Sequence, residues 1–348
     1  MDETDLLVGL LRHYSPTGQE NQAVTYLVQK MDEAGFQSFV DATGNAVGIL
    51  GDGPNEIVLL GHIDTVPGEI PVHIEGDLLY GRGAVDAKGP LACFTTAASR
   101  VGARPGWRII VVGALAEESD SRGAKGVLNE YHPRFAIIGE PSGWDHITLG
   151  YKGSAWIRYR IEKPMYHTAS GKQTACESAV QFWNSLVRKT NEWNESASRV
   201  FDQVTPSLQA MHSTRDGFAE TAELEINVRL PPAISPENLK QEIEWLRGEG
   251  TIDFSDSIPA YRGEKNSALV RAFLQAIRAE EGTPAFSLKT GTADLNLVAP
   301  VWRCPCVAYG PGDSSLDHTP GEHISLTEYR QSIQVLTKVL DILTQISP

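Results

Sequence analysis

The sequence predicts an α/β protein whose doubly wound catalytic domain is interrupted by a small α+β lid. One observation is that, before Gly153, continuous apolar runs alternate with helical patterns, as the layers of a doubly wound fold require. Another is that, from about Gly153, strands with alternating apolar and polar residues take over. We therefore expect residues 1–152 and 262–348 to form the catalytic domain, and residues 153–261 to form a ferredoxin-like insert.

The catalytic domain is predicted from three apolar runs and the helical patterns around them. Each run has the composition of a strand that is buried in a parallel sheet. The runs cover residues 57–60, 107–115 and 135–138. The helical patterns cover residues 21–34, 88–101 and 122–131. After the insert, the chain is expected to return with a helix at 267–281, a strand at 307–309 and a final helix from Thr327.

The insert is predicted to contain two units of one strand and one helix. Alternating strands cover residues 154–162 and 222–230, and helices cover residues 177–190 and 236–247. The insert is joined to the catalytic domain by two crossings, and this arrangement permits a hinge motion. We therefore expect the lid to close over the active site.

Side chains that can bind metals begin directly after the first apolar run. Residues 57–60 lead into Gly61, His62, Ile63 and Asp64, at the end of a strand where open α/β sheets place ligand sites. Because side chains alternate along an extended backbone, His62 and Asp64 point to the same face. We expect the Asp64 carboxylate to accept one imidazole N–H of His62, which leaves the other nitrogen for a metal.

Carboxylates follow the other two apolar runs. Glu117 and Glu118 come after residues 107–115, and Glu140 comes after residues 135–138. Adjacent carboxylates repel each other unless cations or a shared proton compensate them. One glutamate can then bind a metal while its neighbour takes the proton of an attacking water.

Two further candidate ligands complete the set. Asp86 lies in the segment 85–89, and His318 lies far downstream in the segment 317–322. Two imidazoles and several carboxylates are the donor set that suits a pair of divalent cations, with zinc as the leading candidate.

Four motifs of the chain resemble those of one superfamily of metallopeptidases. They are Gly61-His62-Ile63-Asp64-Thr65-Val66-Pro67-Gly68, Tyr80-Gly81-Arg82-Gly83-Ala84-Val85-Asp86-Ala87-Lys88-Gly89, Glu117-Glu118 and Gly139-Glu140-Pro141-Ser142. Over nearly its whole length the chain is similar to the di-zinc aminoacylase and carboxypeptidase superfamily. That superfamily includes acetylornithine deacetylase, succinyl-diaminopimelate desuccinylase and glutamate carboxypeptidase. The resemblance implies a di-zinc peptidase fold and a metal-dependent amide hydrolase.

The resemblance implies two Zn²⁺ ions as cofactors, for which Co²⁺ can substitute. His62 and Glu140 are then expected to hold one ion, and Glu118 and His318 the other. Asp86 is expected to bridge both ions. This assignment uses every candidate ligand except Glu117.

The resemblance also assigns the groups that act around the metals. Glu117 is expected to be the general base, and Asp64 to orient His62. His167, in a loop of the insert, is expected to reach the catalytic site, often across a homodimer, and to stabilise the oxyanion; a surface loop histidine is the alternative. A cis peptide bond is expected between Asp86 and Ala87.

Three cations are candidates for gripping the α-carboxylate of a substrate. Arg229 lies on a predicted strand of the insert, and Arg262 and Lys289 follow it in the chain. The alternative for each of them is a surface or structural role.

Three further segments resemble one branch of the superfamily. They are residues 14–20, 289–296 and 309–314. This branch, the LysK-type [LysW]-lysine/ornithine hydrolases, releases lysine or ornithine from an amino-group carrier protein in lysine and arginine biosynthesis. The rival interpretations are an acetylornithine deacetylase and a succinyl-diaminopimelate desuccinylase. Ala293, where a small polar residue is common, and the segment 165–170 depart from the family pattern, and these departures concern the substrate more than the metals.

Composition limits the partners and the location. The formal net charge of -14 disfavours nucleic acid and anionic membranes as partners. No apolar run approaches the roughly 18 residues of a membrane span, and a signal peptide is not evident, so we expect a cytoplasmic protein. An acidic carrier protein would need a local basic patch in order to dock.

A non-catalytic binding protein built on a peptidase fold is the alternative from another functional class. The presence of all the expected metal ligands and of the expected base disfavours it.

Overall fold

The computed structural model describes residues 2–346. Its helices are α1 (Glu3–Arg12), α2 (Asn21–Glu33), α3 (Lys88–Val101), α4 (Arg122–Val127), α5 (Ala175–Asn194), α6 (Pro236–Ile243), α7 (Ala268–Ala279), α8 (Leu295–Trp302) and α9 (Leu326–Thr344). Its strands are β1 (Gln37–Val40), β2 (Ala46–Leu50), β3 (Asn55–His62), β4 (His73–Glu75), β5 (Leu78–Tyr80), β6 (Trp107–Ala114), β7 (Phe135–Gly139), β8 (His146–Tyr151), β9 (Gly153–Pro164), β10 (Thr205–Arg215), β11 (Ala219–Leu230), β12 (Thr251–Ile258), β13 (Tyr261–Arg262), β14 (Ala285–Lys289), β15 (Cys306–Tyr309) and β16 (His323–Ser325). Among these helices, none is both long enough and apolar enough to cross a membrane.

Contacts between Cα atoms divide the chain into two compact units. The larger unit comprises Met1–Gly150, Gly263–Leu288 and Ala293–Pro348. The smaller unit comprises Tyr151–Arg262 and Lys289–Thr292. It covers nearly the same residues as the expected insert and adds the short segment that begins at Lys289.

The main sheet of the larger unit has the strand order β1-β2-β6-β3-β7-β15-β8, and β14 lies against β8. The strands β6, β3, β7 and β15 are parallel neighbours. Because the carboxyl ends of parallel strands meet at one edge, the loops that follow them lie close together. The strands β3 and β6 are buried almost throughout, which is typical of strands covered on both faces. The predicted α/β fold is confirmed.

Helix α3 begins at Lys88, two residues after Asp86, and is one of the most buried helices of the larger unit. All of its residues from Lys88 to Ala98 are buried, and it packs against β3 and α9. Each fully buried side chain of the size of Phe94 contributes about 1.5–3 kcal/mol to folding. The Lys88 ammonium donates to the carbonyls of Leu10 and His13, at 3.1 and 2.9 Å. The start of α3, and with it the position of Asp86, is therefore firmly held.

The smaller unit has one antiparallel sheet with the strand order β10-β11-β9-β12. Helix α5 follows β9 and helix α6 follows β11, which gives the ferredoxin-like order of strand, helix, two strands, helix and strand. Both helices pack against this sheet. The predicted α+β insert is confirmed, although β10 and β12 were not anticipated from the sequence.

Some predicted elements differ from the structure at their ends. Helix α4 ends at Val127 rather than at residue 131. The helix expected at residues 236–247 ends at Ile243 and continues as a 3-10 turn, Glu244–Arg247. Helix α8 was not predicted, because Pro300 inside it argues against a helix from sequence alone.

Candidate metal centre

His62 is the last residue of β3, and both of its ring nitrogens have partners in the larger unit. Its Nε2 atom lies 3.1 Å from Oδ1 of Asp86. Its Nδ1 atom lies 3.0 Å from the backbone carbonyl of Asp64, whereas the Asp64 carboxylate is 3.6 Å away. At 3.6 Å the carboxylate lies beyond ordinary hydrogen-bond distance, and the Asp64 carbonyl is the nearer acceptor for the second imidazole N–H. Asp64 thus contacts Nδ1 from its backbone and stays the predicted partner that orients His62, while Nε2 faces Asp86, where a metal could bind.

The Asp64 carboxylate instead holds the turn that carries the two adjacent glutamates. Its oxygens accept from the backbone N–H groups of Glu117 and Glu118, at 3.0 and 3.2 Å, and from the Thr17 hydroxyl, at 2.7 Å. Asp64 is fully buried. Burial alone would raise its pKa, but the hydrogen bonds to the carboxylate and the nearby His62 lower it. Asp64 thus fixes the backbone from which Glu117 and Glu118 project.

Asp86 lies between the two histidines. Its Oδ1 atom faces Nε2 of His62 at 3.1 Å, and its Oδ2 atom faces Nε2 of His318 at 3.0 Å. The Asp86–Ala87 peptide bond is cis, as the resemblance implied. Burial would raise the pKa of the Asp86 carboxyl, but the two imidazoles hold it well below its usual range. One carboxylate oxygen for each imidazole is the arrangement that a bridging ligand needs.

His318 reaches the same cluster from the loop after β15. Its Nε2 atom lies 3.0 Å from Oε1 of Glu118 and 3.0 Å from Oδ2 of Asp86. The side chain is about half exposed, and its backbone has a positive φ of 60°. The hydrogen bond to Asp86 and the charge of Glu118 raise the pKa of His318 to about 9.

Three glutamates surround these groups from the ends of β6 and β7. Burial raises the pKa of Glu117 and of Glu140 well above the usual value, and burial also raises the pKa of Glu118. The negative charge of Asp86 adds to this effect at Glu118 and Glu140. Carboxylates packed so closely need positive charge, and divalent cations would supply it while accepting the same oxygens as ligands.

The candidate ligand atoms fall into three groups within residues 2–346. In each group, three atoms lie within 4.8 Å of one another. The groups are His62, Asp86 and Glu140; Asp86, Glu118 and His318; and His62, Glu117 and Glu118. The first two share only Asp86, and they are the two sets that the family resemblance implied for the two ions. The donor set and the bridging position of Asp86 fit a pair of divalent metals.

The other candidate residues lie in the smaller unit. His167 is exposed, and its Nδ1 atom accepts from the backbone N–H of Ala169 at 3.2 Å. It lines an open groove of about 900 Å³ together with Lys172 and Arg215. Arg229 is partly buried, its Nη1 atom lies 3.4 Å from Oγ1 of Thr292, and burial lowers the pKa of its guanidinium.

Arg262 and Lys289 have different settings in that unit. Arg262 is an exposed residue that ends the short strand β13. Lys289 ends β14, and its backbone carbonyl accepts from the N–H of Lys152 at 3.1 Å. Lys289 belongs to the same short segment, Lys289–Thr292, as the Thr292 hydroxyl that lies near Arg229.

Asp294 is a buried acid near the metal centre whose role the sequence did not predict. It is 2 % exposed, and its Oδ1 atom has no hydrogen-bond partner within residues 2–346. Burial raises the pKa of its carboxyl to about 7, opposed by the charge of His62 and a hydrogen bond to Ser121. Its charge in turn raises the pKa of Glu117 and Glu140. In the sequence, Asp294 is marked only by its place in the segment 289–296, which resembles one branch of the superfamily.

Comparison with known proteins places the chain in a family. A sequence model described as Peptidase family M20/M25/M40 matches residues 58–342. The chain belongs to this family. The predicted superfamily is confirmed, and so is the prediction of an enzyme, a hydrolase of a metallopeptidase family.

Relatives of this M20 chain extend over nearly its full length. It is 42 % identical over 339 residues to the [LysW]-lysine hydrolase of Deinococcus radiodurans, covering 94 % of this chain and 92 % of that protein. It is 40 % identical over 341 residues to a protein of Thermococcus kodakarensis named putative [LysW]-lysine/[LysW]-ornithine hydrolase, covering 98 % and 92 %. Among solved structures, aminopeptidase PepT of Bacillus cereus has a TM-score of 0.80 at 17 % identity, covering 99 % of this chain and 100 % of that one. That structure supports the fold alone.

Proposed function

We propose that this M20 hydrolase cleaves the amide bond that joins lysine or ornithine to an amino-group carrier protein, in lysine or arginine biosynthesis. The observation that carries the chemistry is the position of the Asp86 carboxylate, with one oxygen facing His62 and the other facing His318. The observation that favours the substrate is the similarity, at 40–42 % identity, to proteins named for [LysW] conjugates.

Two zinc ions are the cofactors we propose, with Co²⁺ as a working substitute. His62 and Glu140 would hold one ion, Glu118 and His318 the other, and Asp86 both. Bound zinc would supply the Lewis acidity that polarises the scissile carbonyl and makes a water acidic. Imidazole nitrogens and carboxylate oxygens are ordinary zinc ligands, and the alternative hard cations prefer all-oxygen sites.

Glu117 is the general base of the proposed reaction. Its backbone is fixed by Asp64, so that the side chain is held beside the proposed ligands. Burial and neighbouring carboxylates raise its pKa, which suits a group that must first accept a proton and then release it. Glu117 would take the proton of the attacking water and pass it to the leaving amine of lysine or ornithine.

His167 is proposed to stabilise the oxyanion, and Arg229, Arg262 and Lys289 to bind the carboxylate of the substrate. The exposure of His167 supports this role, because nothing in the smaller unit covers its ring from solvent. A cation that is partly buried, such as Arg229, is a stronger partner for a carboxylate than a fully solvated one. We further propose that the lid closes by a hinge motion about its connections to the larger unit, which are the two expected from the sequence and the two that flank Lys289–Thr292.

A homodimer is proposed, with β10 as part of the contact. This strand lies at the edge of its sheet and its residues are mostly exposed, including the apolar Leu208 and Met211. Exposed edge strands are usually protected by charge, but in β10 only Arg215 carries one. Met211→Lys should therefore shift the protein towards monomer in sedimentation experiments. Phe218→Lys adds the same charge at a more exposed apolar residue outside β10. This control variant should leave the dimer intact.

The charge distribution supports docking of an acidic carrier on the smaller unit. Basic and acidic residues nearly balance there, so almost all of the formal charge of -14 belongs to the larger unit. An acidic partner is repelled less by the balanced surface, and docking through charged groups should weaken as the salt concentration rises.

We also propose a cytoplasmic location. The four cysteines are free thiols, as is usual for proteins of a reducing compartment.

A substrate panel tests the proposed function. Metal-stripped protein would be reloaded with zinc or cobalt and assayed on carrier-linked lysine, carrier-linked ornithine, N-acetylornithine, N-acetyllysine and succinyl-diaminopimelate. We expect the carrier-linked substrates to give the highest kcat/KM. Preferred cleavage of N-acetylornithine or of succinyl-diaminopimelate would establish one of the rival activities instead, and cleavage of simple dipeptides alone would reject all three.

A further inference from the structure

Glu322 is a buried carboxylate four residues after His318, in the segment 317–322, where His318 alone was expected to act. It is 1 % exposed, and its neighbour Arg82 is 6 % exposed. Oε2 of Glu322 accepts from Nη1 of Arg82 at 2.8 Å. Arg82 in turn donates from Nε to the backbone carbonyl of Gly68 at 2.9 Å. The pair is therefore a buried ion pair with a fixed geometry.

The other oxygen of Glu322 holds the backbone next to the bridging aspartate. Oε1 accepts from the N–H of Val85 at 2.9 Å and from the N–H of Asp86 at 3.1 Å. The backbone carbonyl of Glu322 accepts from the N–H of Gly81 at 3.3 Å. Together with the bond from Arg82, Glu322 thus makes four hydrogen bonds to the segment 81–86 that presents Asp86, three of them to backbone N–H groups.

These contacts join two parts of the chain that both supply candidate ligands. Glu322 belongs to the segment of His318, and its carboxylate binds the segment of Asp86. The Asp86 carboxylate faces His318 at 3.0 Å and His62 at 3.1 Å. A shift of Glu322 would therefore move Asp86 and His318 relative to each other, and the bridge would no longer suit both metals.

We infer that Glu322, held by Arg82, is a positioning residue that sets the distance between Asp86 and His318, and that metal affinity depends on it. The inference rests on the metal centre of the proposed function. It does not depend on which amide is cleaved. Partners that orient metal ligands by hydrogen bonds typically change metal affinity when they are replaced.

A second buried acid of the larger unit provides a matched control. Glu56 is 6 % exposed, forms an ion pair with Arg108 and accepts from the backbone N–H of His132 at 2.6 Å. It therefore resembles Glu322 in burial, in its arginine partner and in its backbone hydrogen bond. Within residues 2–346, the partners of its carboxylate are Arg108 and the backbone of His132, and neither is a proposed metal ligand.

The experiment compares Glu322→Gln with Glu56→Gln. A glutamine at position 322 can offer its carbonyl oxygen either to Arg82 or to the N–H groups of Val85 and Asp86, but not to both. We expect Glu322→Gln to weaken zinc binding by about 10- to 100-fold, measured by competition with a chromogenic chelator. Glu56→Gln should lower the Tm about as much as Glu322→Gln does, but it should leave zinc affinity unchanged.

Two further measurements distinguish a role in positioning the metal ligands from a general role in folding stability. Arg82→Lys keeps the positive charge and loses the fork-like contact to Glu322 and Gly68, so it should weaken zinc binding in the same direction but less. It also tests the inference if Glu322→Gln does not fold. Excess zinc should restore turnover in Glu322→Gln, with KM close to that of the wild type.

Unchanged zinc affinity in both Glu322→Gln and Arg82→Lys, with only a lower Tm, would overturn the inference. So would an equal loss of zinc affinity in Glu56→Gln. Because zinc binding needs no substrate, a wild-type protein that cleaves nothing in the substrate panel would refute the proposed function and would leave this test intact.

Discussion

Replacing Glu117 by glutamine removes the proposed base with little change of shape. The Asp64 carboxylate holds residue 117 through its backbone N–H, at 3.0 Å, so the turn does not depend on the replaced carboxylate. Glutamine has nearly the same volume and fits the same partly buried position. The substitution should therefore act on proton transfer and not on folding.

The size of the effect follows from that single lost role. A positioned base is worth about 100- to 10,000-fold in rate, which corresponds to about 3 to 5 kcal/mol of activation free energy. We expect kcat of Glu117→Gln to fall by that factor while KM changes little. The assay is release of lysine from the carrier conjugate by the zinc-loaded protein, and zinc content is measured in the same samples by atomic absorption.

Glu118→Gln is the matched control for this prediction. The two residues are adjacent, and both backbone N–H groups bind Asp64, but Oε1 of Glu118 lies 3.0 Å from His318 in a candidate metal group. Glu118→Gln should lose one zinc equivalent, whereas Glu117→Gln should keep two. Glu117 also belongs to one ligand group, with His62 and Glu118. Loss of zinc in Glu117→Gln, with the rate restored by added zinc, would assign Glu117 to metal binding and refute its role as base.

Further predictions concern the two histidines and the pH. His318→Ala should weaken one zinc site by at least tenfold in chelator competition, and two tight sites in this variant would refute its role as ligand. His167→Ala should keep two zinc ions and lose about 3 to 4 kcal/mol of transition-state stabilisation, measured as kcat/KM. Mixing it with Glu117→Gln should restore partial activity only if His167 acts across a dimer. The raised pKa of His318 stabilises the metal-free protein fully below pH 6.5, so its Tm should fall as the pH rises from 6.5 to about 9, and a flat profile would contradict this.

The sequence predicted the parts of the structure that depend on short-range patterns. Apolar runs of the kind that form β3 and β6 are recognisable without any knowledge of their partners. Because parallel strands end at one edge of a sheet, the residues after each run could be expected to meet, and the structure brings His62, Glu118 and Glu140 into the candidate metal groups. Asp86 and His318 follow none of these three runs, and they were candidates because of their residue types and the motif resemblance.

The remaining features depend on contacts that leave no local pattern. The carboxylate of Asp64 binds backbone N–H groups more than 50 residues away, and only the fold shows that it supports the turn of Glu117 and Glu118. The contact between Arg82 and Glu322 spans 240 residues. The exposed edge strand β10 has no alternation of apolar and polar residues to reveal it, since neither of its faces is buried.

We propose that a metal pair on Asp86 drives release of lysine or ornithine from a carrier protein. The most direct test of this claim is a zinc titration of the metal-free protein, with the carrier–lysine conjugate as substrate and the intact mass of the carrier as the readout. We predict that the carrier loses the mass of one lysine residue, and that activity rises until two zinc equivalents are bound. Full activity without metal, or an intact conjugate at two equivalents while N-acetylornithine is cleaved, would contradict the claim.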